Sequence, residues 1–266
     1  MTAPGTALST RGARILRGAA GIVVFLGVAE AAARAGLLDD AVPPVSEILA
    51  QAVALLGDPQ FTEGIADTML RWAYGLALTV AAVVPAGIVL GSLPAVERLL
   101  RPIIEFLRPI PSIALIPLAI LFFQDALLAE IGIIVYASTW PILINTIYAV
   151  REVDPLAKET MRSFGFGPGA VLWRVALPSA APFILTGIRI SASIALIVAI
   201  STELFVPGAE GLGTFLISAQ SGTDAVILVV ATAVWAGFLG LAINAAFAAA
   251  GRRLFRWHHA RGGEAA

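Results

Sequence analysis

The stretch DPLAKETMRSFGFGPGAVLWRVALP, residues 154–178, is a long polar interruption in an otherwise apolar chain. Asp154 is a residue type that caps helices, and Pro155 suits a first helical turn, where its missing N–H costs nothing. Gly165 stands where a helix would end in the left-handed conformation that glycine adopts without strain. The pattern therefore predicts a short helix that starts after Asp154 and ends at Gly165.

Residues 165–169, Gly-Phe-Gly-Pro-Gly, predict a chain-reversing turn after that helix. A second helix is expected to start near Pro168 and to end before Pro178, because proline interrupts helical hydrogen bonding. Phe164 and Phe166 flank the turn, so two aromatic rings should lie at its tip. An exposed apolar tip among charged residues indicates a surface for binding another protein.

The composition of the whole chain is that of a membrane protein. Of its 266 residues, 59% are hydrophobic and 13% are charged, and the mean hydropathy is +0.91. Soluble domains are much more polar. The chain has no cysteine, which excludes disulfides and thiolate metal sites but does not identify a compartment.

Apolar stretches predict an all-α polytopic fold with six transmembrane helices in one domain. Prolines at positions 109, 111 and 117 predict that the third of these helices is kinked and faces protein or a water-lined path, since lipid cannot replace lost hydrogen bonds. A kink without a role in transport is an equal alternative. The predicted helices cover about residues 19–33, 72–93, 103–123, 131–150, 183–205 and 226–250, within a domain at 19–257 flanked by tails at 1–18 and 258–266.

The distribution of charge predicts the orientation. Residues 37–67 carry six acidic and no basic residues, and residues 207–224 form a second short acidic loop. By the positive-inside rule both loops lie outside and both termini are cytoplasmic. A cleaved signal peptide ending near Ala31-Ala32-Ala33 is the alternative for the first helix. Residues 1–9 are expected to be disordered. Fourteen of the 17 Lys and Arg residues fall on the cytoplasmic side: Arg11, Arg14, Arg17, Arg98, Arg101, Arg108, Arg151, Lys158, Arg162, Arg174, Arg252, Arg253, Arg256 and Arg261.

Three polar residues inside predicted spans are candidates for a substrate pathway or gate: Asn145, Arg189 and Glu203. The last two lie fourteen residues apart in the fifth span and so share a helix face. Intramembrane charges usually face a bundle interior or an aqueous path. For Glu203 a structural role is an equal alternative, and for Arg189 it is the favoured one.

Several function classes are excluded by what the sequence lacks. A phosphate-binding P-loop needs Lys followed by Ser or Thr, but the only lysine, Lys158, is followed by Glu159. Any work driven by ATP must therefore come from a partner chain. The two histidines, His258 and His259, are adjacent in a basic tail that has no cluster of carboxylates. We find no catalytic motif and no pair of carboxylates within a buried segment, so we expect neither an enzyme nor a metal site. The scattered basic residues indicate topology, not nucleic-acid binding.

The spacing of Glu159, Gly165 and residues 175–178, Val-Ala-Leu-Pro, resembles the EAA loop of ABC importer permeases. Thr160 and Met161 occupy the positions of the two alanines of that motif, and these replacements are mild departures from it. The resemblance implies that residues 154–178 form the coupling loop, which inserts into a cleft of a cytoplasmic ATPase subunit. An ordinary cytoplasmic loop is the alternative. The residues implied to contact the ATPase are Lys158, Glu159, Arg162, Phe164, Gly165 and Phe166.

Residues 107–121, LRPIPSIALIPLAIL, are similar to a segment of permeases for nitrate, taurine and aliphatic sulfonates. One departure is Phe123-Gln124-Asp125, where that family usually has a turn with glycines. The departure leaves the local shape of the outer face open. Further matching pieces are Pro44 with Ser46-Glu47-Ile48-Leu49, Leu177-Pro178 with Pro182, Thr186-Gly187 with Arg189, Glu203, and Gly211-Leu212-Gly213.

The resemblance implies a type I ABC importer permease fold in a bacterial inner membrane. It further implies a second copy of the permease, two ATPase subunits that use Mg-ATP, and a periplasmic or lipid-anchored binding protein. This chain would bind no cofactor and would carry a sulfonate, taurine or nitrate. Alternatives are another small solute, such as a thiamine-pyrimidine precursor or an aromatic acid, an ion-coupled secondary transporter with inverted repeats, or an intramembrane enzyme.

Overall fold

The computed structural model describes residues 7–37, 42–220 and 225–255. Within these ranges the chain is helical and contains no strand. Short 3₁₀ turns cover Leu55–Gly57 and Ser112–Leu115, and a π turn covers Leu172–Ala176. The helices are α1 (Ala7–Arg34), α2 (Val45–Ala54), α3 (Pro59–Ser92), α4 (Pro94–Leu107), α5 (Ile116–Phe122), α6 (Ala126–Arg151), α7 (Pro155–Ser163), α8 (Pro168–Val171), α9 (Leu177–Phe205), α10 (Leu212–Ala219) and α11 (Ala225–Leu254).

Five helical segments of the described chain are long and apolar enough to cross a membrane, and a bent pair of helices makes a sixth candidate. The bent pair is α4 with Ser112–Phe122, at an angle of 82°. The predicted all-α polytopic fold is therefore confirmed, and the expected kink of the third span is a full break at Pro109 and Pro111. Neither proline has the N–H that would continue the helical hydrogen bonding, which explains the break. The five straight segments are Leu16–Arg34, Pro59–Ser92, Ala126–Arg151, Pro168–Phe205 and Ala225–Leu254.

Several predicted boundaries were wrong. The second helix was predicted at 72–93, but α3 begins earlier, at Pro59, within the segment 37–67 that also contains α2. The expected turn around Arg98 and Arg101 belongs to α4. The helix that starts at Pro168 does not end before Pro178. It passes into α9 through the π turn, a wider turn of the kind found where a helix accommodates an irregularity such as proline.

The predicted loops and tails also differ in part. Residues 207–224 were expected to be a loop, but α10 lies within them. The tail expected at residues 1–9 ends earlier, since α1 begins at Ala7. Other predictions lie outside the described residues, namely those for Asp39, Asp40, Asp224, Arg256, His258, His259 and Arg261.

The chain divides into two compact units. The first comprises the described residues of 1–59 and 218–235. In it, Glu30 accepts hydrogen bonds from the Ser46 N–H (3.0 Å) and from Ser46 Oγ (2.8 Å), and it pairs with Arg34 (2.6 Å). Trp235 Nε1 donates to the Ala52 carbonyl at 2.8 Å. These bonds hold α2 against α1 and against the first part of α11.

The second unit comprises the described residues of 60–217 and 236–266, and α6 and α9 form its centre. They run antiparallel, with Ser191 Oγ donating to the Ser138 carbonyl at 2.7 Å. Small residues allow close helix contact here. A Cβ on Gly187 would lie 2.7 Å from Asn145 Cβ.

Helix α3 runs parallel to α6 with a constant register. Gly75 faces Ile134, Gly87 faces Thr146, and Gly91 faces Val150, so each glycine meets the residue 59 positions later. A Cβ on Gly87 would lie 2.7 Å from Thr146 Cβ, and one on Gly91 would lie 2.9 Å from Val150 Cβ. The two helices therefore pack backbone against side chain along most of their length.

Candidate functional site

The loop after α6 is an ordered helix-turn structure. Asp154 Oδ1 accepts the Leu156 N–H at 2.9 Å, which confirms the predicted cap of α7. Gly165 has φ +80°, the left-handed conformation predicted for it. Its N–H donates to the Arg162 carbonyl at 2.9 Å, and the Phe166 N–H donates to the Met161 carbonyl at 3.1 Å. This pair of bonds is a Schellman motif, so the end of α7 is fixed in direction.

Apolar side chains project from this ordered loop. Leu156, Phe164 and Trp173 are 69%, 76% and 72% exposed. Phe166 is less exposed, and the Arg174 guanidinium carbon lies 5.3 Å from its ring centroid. We call Leu156, Phe164, Phe166 and Trp173 the apolar tip. An uncovered group of large apolar side chains on a fixed turn has the character of a protein-binding surface.

The charged residues of α7 divide between two faces. Glu159 and Arg162 are exposed, whereas Lys158 Nζ turns back and donates to the Val150 carbonyl of α6 at 3.1 Å. The pKa of the Lys158 ammonium is lowered, mainly because it is partly buried and also because Arg162 is close. Of the residues predicted to contact an ATPase, Glu159, Arg162 and Phe164 are exposed, whereas Lys158 bonds to α6 and Phe166 lies against Arg174. Their contact with a partner stays a prediction.

A buried ion pair lies at the same end of the second unit. Glu97 of α4 is only 7% exposed and lies 2.9 Å from Arg101 NH2 and 3.0 Å from Arg151 NH2. The sequence analysis missed this contact, although the four-residue spacing of Glu97 and Arg101 was a signal for a pair on one helix face. Arg151 ends α6, so the ion pair ties α4 to α6 just before the loop.

Glu203 lies in a buried cluster at the other end of α9. Its side chain accepts hydrogen bonds from Thr68 Oγ1 and from the Gly213 N–H, both at 2.7 Å. Thr68 Oγ1 in turn accepts the Leu212 N–H at 2.9 Å. Gly211, with φ +143°, has no room for a Cβ because one would overlap the Glu203 carboxylate. Glu203 is 1% exposed, and these contacts join α3, α9 and the start of α10, which favours its structural alternative.

A second buried carboxylate lies near Glu203. Glu130 of α6 is fully buried, and its Oε2 lies 3.4 Å from Arg71 Nε. Glu130 and Glu203 are close enough to interact electrostatically. Arg71 also lies 3.3 Å from the exposed Glu210. No single buried segment of the sequence carries a pair of carboxylates, but folding brings two buried carboxylates from different helices near each other. Glu130 lies near the beginning of α6, and nothing in its local sequence indicates that a neighbouring helix covers it.

The other two pathway candidates have different surroundings. Asn145 Nδ2 donates to the Pro141 carbonyl of its own helix at 2.8 Å. Arg189 Nε donates to Asn244 Oδ1 of α11, and within the described chain no carboxylate lies within ion-pair distance of it. Asn244 also lines a mostly apolar groove of about 470 Å³ between α9 and α11, together with Ser193, Leu196 and Gly240.

These features define a class. The protein is a multi-pass helical membrane protein that lacks a P-loop and exposes an ordered, apolar-tipped loop next to its spans. Residues 83–257 match the family described as "Binding-protein-dependent transport system inner membrane component". The chain belongs to this family, which is that of ABC transporter permeases, and it is a multi-pass protein of the inner membrane.

Curated relatives agree with this assignment. The chain is 30% identical over 237 residues to the bicarbonate transport system permease protein CmpB of Synechocystis sp., covering 84% of this chain and 83% of that one. It is 30% identical over 223 residues to the taurine transport system permease protein TauC of Escherichia coli, covering 81% and 80%. The resemblance to the nitrate, taurine and sulfonate permeases is thereby confirmed.

A solved structure confirms the fold. The chain superposes on a chain of the MetNI methionine ABC transporter in an inward facing conformation with a TM-score of 0.63 and 20% identity. The superposition covers 73% of this chain and 95% of that one. The predicted type I ABC importer permease fold is therefore correct.

Proposed function

We propose that this protein is the permease subunit of an ATP-driven importer for a small anion, an aliphatic sulfonate, taurine or nitrate. Bicarbonate is a further candidate, because one of the similar proteins is named as a bicarbonate transport system permease. The permease pairs with a second copy, two ATPase subunits bind its cytoplasmic side, and a binding protein delivers the solute. Both termini are cytoplasmic, the chain itself is not catalytic, and the ATPase subunits bind Mg-ATP.

The ordered apolar tip carries the proposal that the loop couples to an ATPase. A flexible loop could not transmit force, but α7 is capped by Asp154, closed at Gly165 and bonded to α6 through Lys158. The exposed Phe164 and Glu159 then offer an apolar anchor and a charge to a cleft. If Glu159 pairs with a basic group there, its loss costs about 2 to 5 kcal/mol when the pair is desolvated and under about 1 kcal/mol when it is wet.

Glu159→Ala tests the coupling, and Glu152→Ala is the matched control. Glu152 is also an exposed carboxylate near the loop, but it lies at the end of α6, outside α7. In proteoliposomes with the ATPase and binding protein, we expect Glu159→Ala to insert normally but to lose uptake coupled to ATP hydrolysis. Glu152→Ala should keep it. Wild-type uptake by Glu159→Ala at equal expression contradicts the coupling role.

Arg189 supports an anionic solute. It is a cation within a span, and within the described chain its guanidinium is bonded only to the neutral Asn244. Intramembrane charges often mark substrate pathways. We propose Arg189, Asn145 and Glu203 as pathway or gate residues, with the burial of Glu203 making it the weakest of the three. Other small solutes or ion coupling remain the alternatives.

Uptake measurements identify the solute. Labelled taurine, a longer alkanesulfonate, nitrate and bicarbonate are supplied to a strain that lacks this chain, with wild type or Glu159→Ala returned. We expect uptake of one solute to disappear and to be restored by the wild type alone. If none of the four changes, the anion assignment is wrong, while copurification of an ATPase still tests the transporter class.

A further inference from the structure

Helix α4 reaches the middle of the membrane. Its first turn is fixed to the end of α6 by the contact of Glu97 with Arg151 at 3.0 Å. Its last carbonyl, that of Leu107, accepts a hydrogen bond from Tyr136 Oη at 2.6 Å. Tyr136 is the eleventh of the 26 residues of α6, so it lies near the middle of that span. Helix α4 thus runs antiparallel to the inner half of α6 and ends at mid-depth.

Three sides of α4 have different characters, as follows from about 100° of rotation per residue. Leu100 and Ile104 pack against the core of the second unit. A second side is apolar and exposed, with Leu99 and Phe106 at 76% and 73% exposure, and Ile103 between them. The third side carries exposed charges, which are Arg98, Arg101, Glu105 and Arg108.

The charged side chains of α4 require water or a polar partner, because they lie within the depth of the membrane. Arg101 is paired with Glu97 and also interacts electrostatically with Glu105. Arg108 follows the last residue of the helix and is exposed, and its guanidinium has no hydrogen bond or ion pair within the described residues. A charged side chain at this depth faces a water-filled path or a protein partner, because facing lipid is strongly unfavourable.

We infer that the charged side of α4 lines the solute path and that Arg108 binds the anionic group of the solute at its deep end. The chain breaks at Pro109 and Pro111 immediately after Arg108, at the 82° bend, and the Arg108 side chain is exposed there. An unpaired guanidinium there attracts anions and repels cations. This inference rests on the proposed import of a small anion and adds the residue that selects for charge.

The absence of cysteine makes the path directly testable. Single substitutions Arg108→Cys and Glu105→Cys probe the charged side, and Leu99→Cys and Phe106→Cys are matched controls on the apolar side. Each is treated, in the assembled transporter, with membrane-impermeant methanethiosulfonates that carry either a sulfonate or a trimethylammonium group. We expect both charged-side positions to react and the controls to react at least about tenfold more slowly.

Charge selection is tested at position 105 while Arg108 is intact. We expect Glu105→Cys to react about tenfold or more faster with the sulfonate reagent than with the trimethylammonium reagent, after correction for their rates with free thiol. Glu105→Cys combined with Arg108→Gln should lose that preference, and with Arg108→Lys should keep it. Labelled taurine uptake by Arg108→Gln should fall, while the ATPase still copurifies.

Three outcomes overturn the inference. Unreactive charged-side cysteines would show that this side is covered, for instance by a carboxylate of the second copy that pairs with Arg108. Faster reaction of the cysteines on the apolar side would show that this side of α4, and not the charged side, lines the path. An equal rate with both reagents would show that Arg108 does not select charge. These reactions report only access and charge along α4, so failure of the coupling proposal is seen separately, as wild-type uptake by Glu159→Ala.

Discussion

Thr68 offers a sharp test of the cluster around Glu203. Its hydroxyl donates to Glu203 at 2.7 Å and accepts the buried Leu212 N–H at 2.9 Å. Thr68→Val keeps the shape of the side chain but removes both bonds. A hydrogen bond to a charged group contributes about 1.5 to 3 kcal/mol, and a buried unpaired N–H costs about 1 to 3 kcal/mol. Since Glu203 keeps its bond to Gly213, we expect a loss of about 2 to 4 kcal/mol of unfolding free energy.

Thr79→Val is the matched control on the same helix. Thr68 and Thr79 are both fully buried, but Thr79 Oγ1 donates to the Gly75 carbonyl at 2.7 Å, which the helix already uses. We expect a loss below about 1 kcal/mol for this variant, because no group is left unpaired. Unfolding free energies are measured by steric trapping in lipid nanodiscs. Equal losses for the two variants would refute the argument that the bonds of Thr68 hold α3 to α9 and α10.

Two glycine substitutions, each with a matched control, test the close contact beside Glu203 and the left-handed residue that ends α7. Gly213→Ala should destabilise the fold by about 1 to 3 kcal/mol through overpacking, since its Cβ would lie 2.6 Å from Glu203 Cβ. Gly237→Ala has no atom within 4 Å and should not destabilise it in the same assay. Gly165→Ala, at φ +80°, should strain the turn by about 1 to 2 kcal/mol and increase proteolysis of the loop. Gly169→Ala should not, and equal cleavage of both variants would contradict the need for a left-handed residue.

The sequence predicted those features that depend on nearby residues. Apolar runs indicated the spans, and Asp154 and Gly165 indicated the ends of α7, because capping acts within a few residues. The partners of Glu203 could not be predicted, since Thr68 lies 135 positions away. Glu203 and Gly211-Leu212-Gly213 were noted as separate pieces of one resemblance, and only folding shows that they are one contact.

Hydropathy also could not show how charges are arranged within a span. Arg108 was counted among the basic residues of the cytoplasmic side, although it lies within the predicted third span at 103–123. The bond between Leu107 and Tyr136 instead puts its backbone near the middle of α6. Composition records how many charges a segment has, whereas the direction of each side chain depends on which helices pack around it.

The bond from Lys158 to the Val150 carbonyl has a mechanical consequence. It fastens α7 to the last turn of α6, and one residue further on Arg151 holds Glu97 of α4. A displacement of α7 would therefore act on two long helices through neighbouring residues at the end of α6. One is α6, which packs against α9, and the other is α4, which ends at Leu107, just before Arg108. If α7 is displaced, these two contacts would tilt α6 and α4 together.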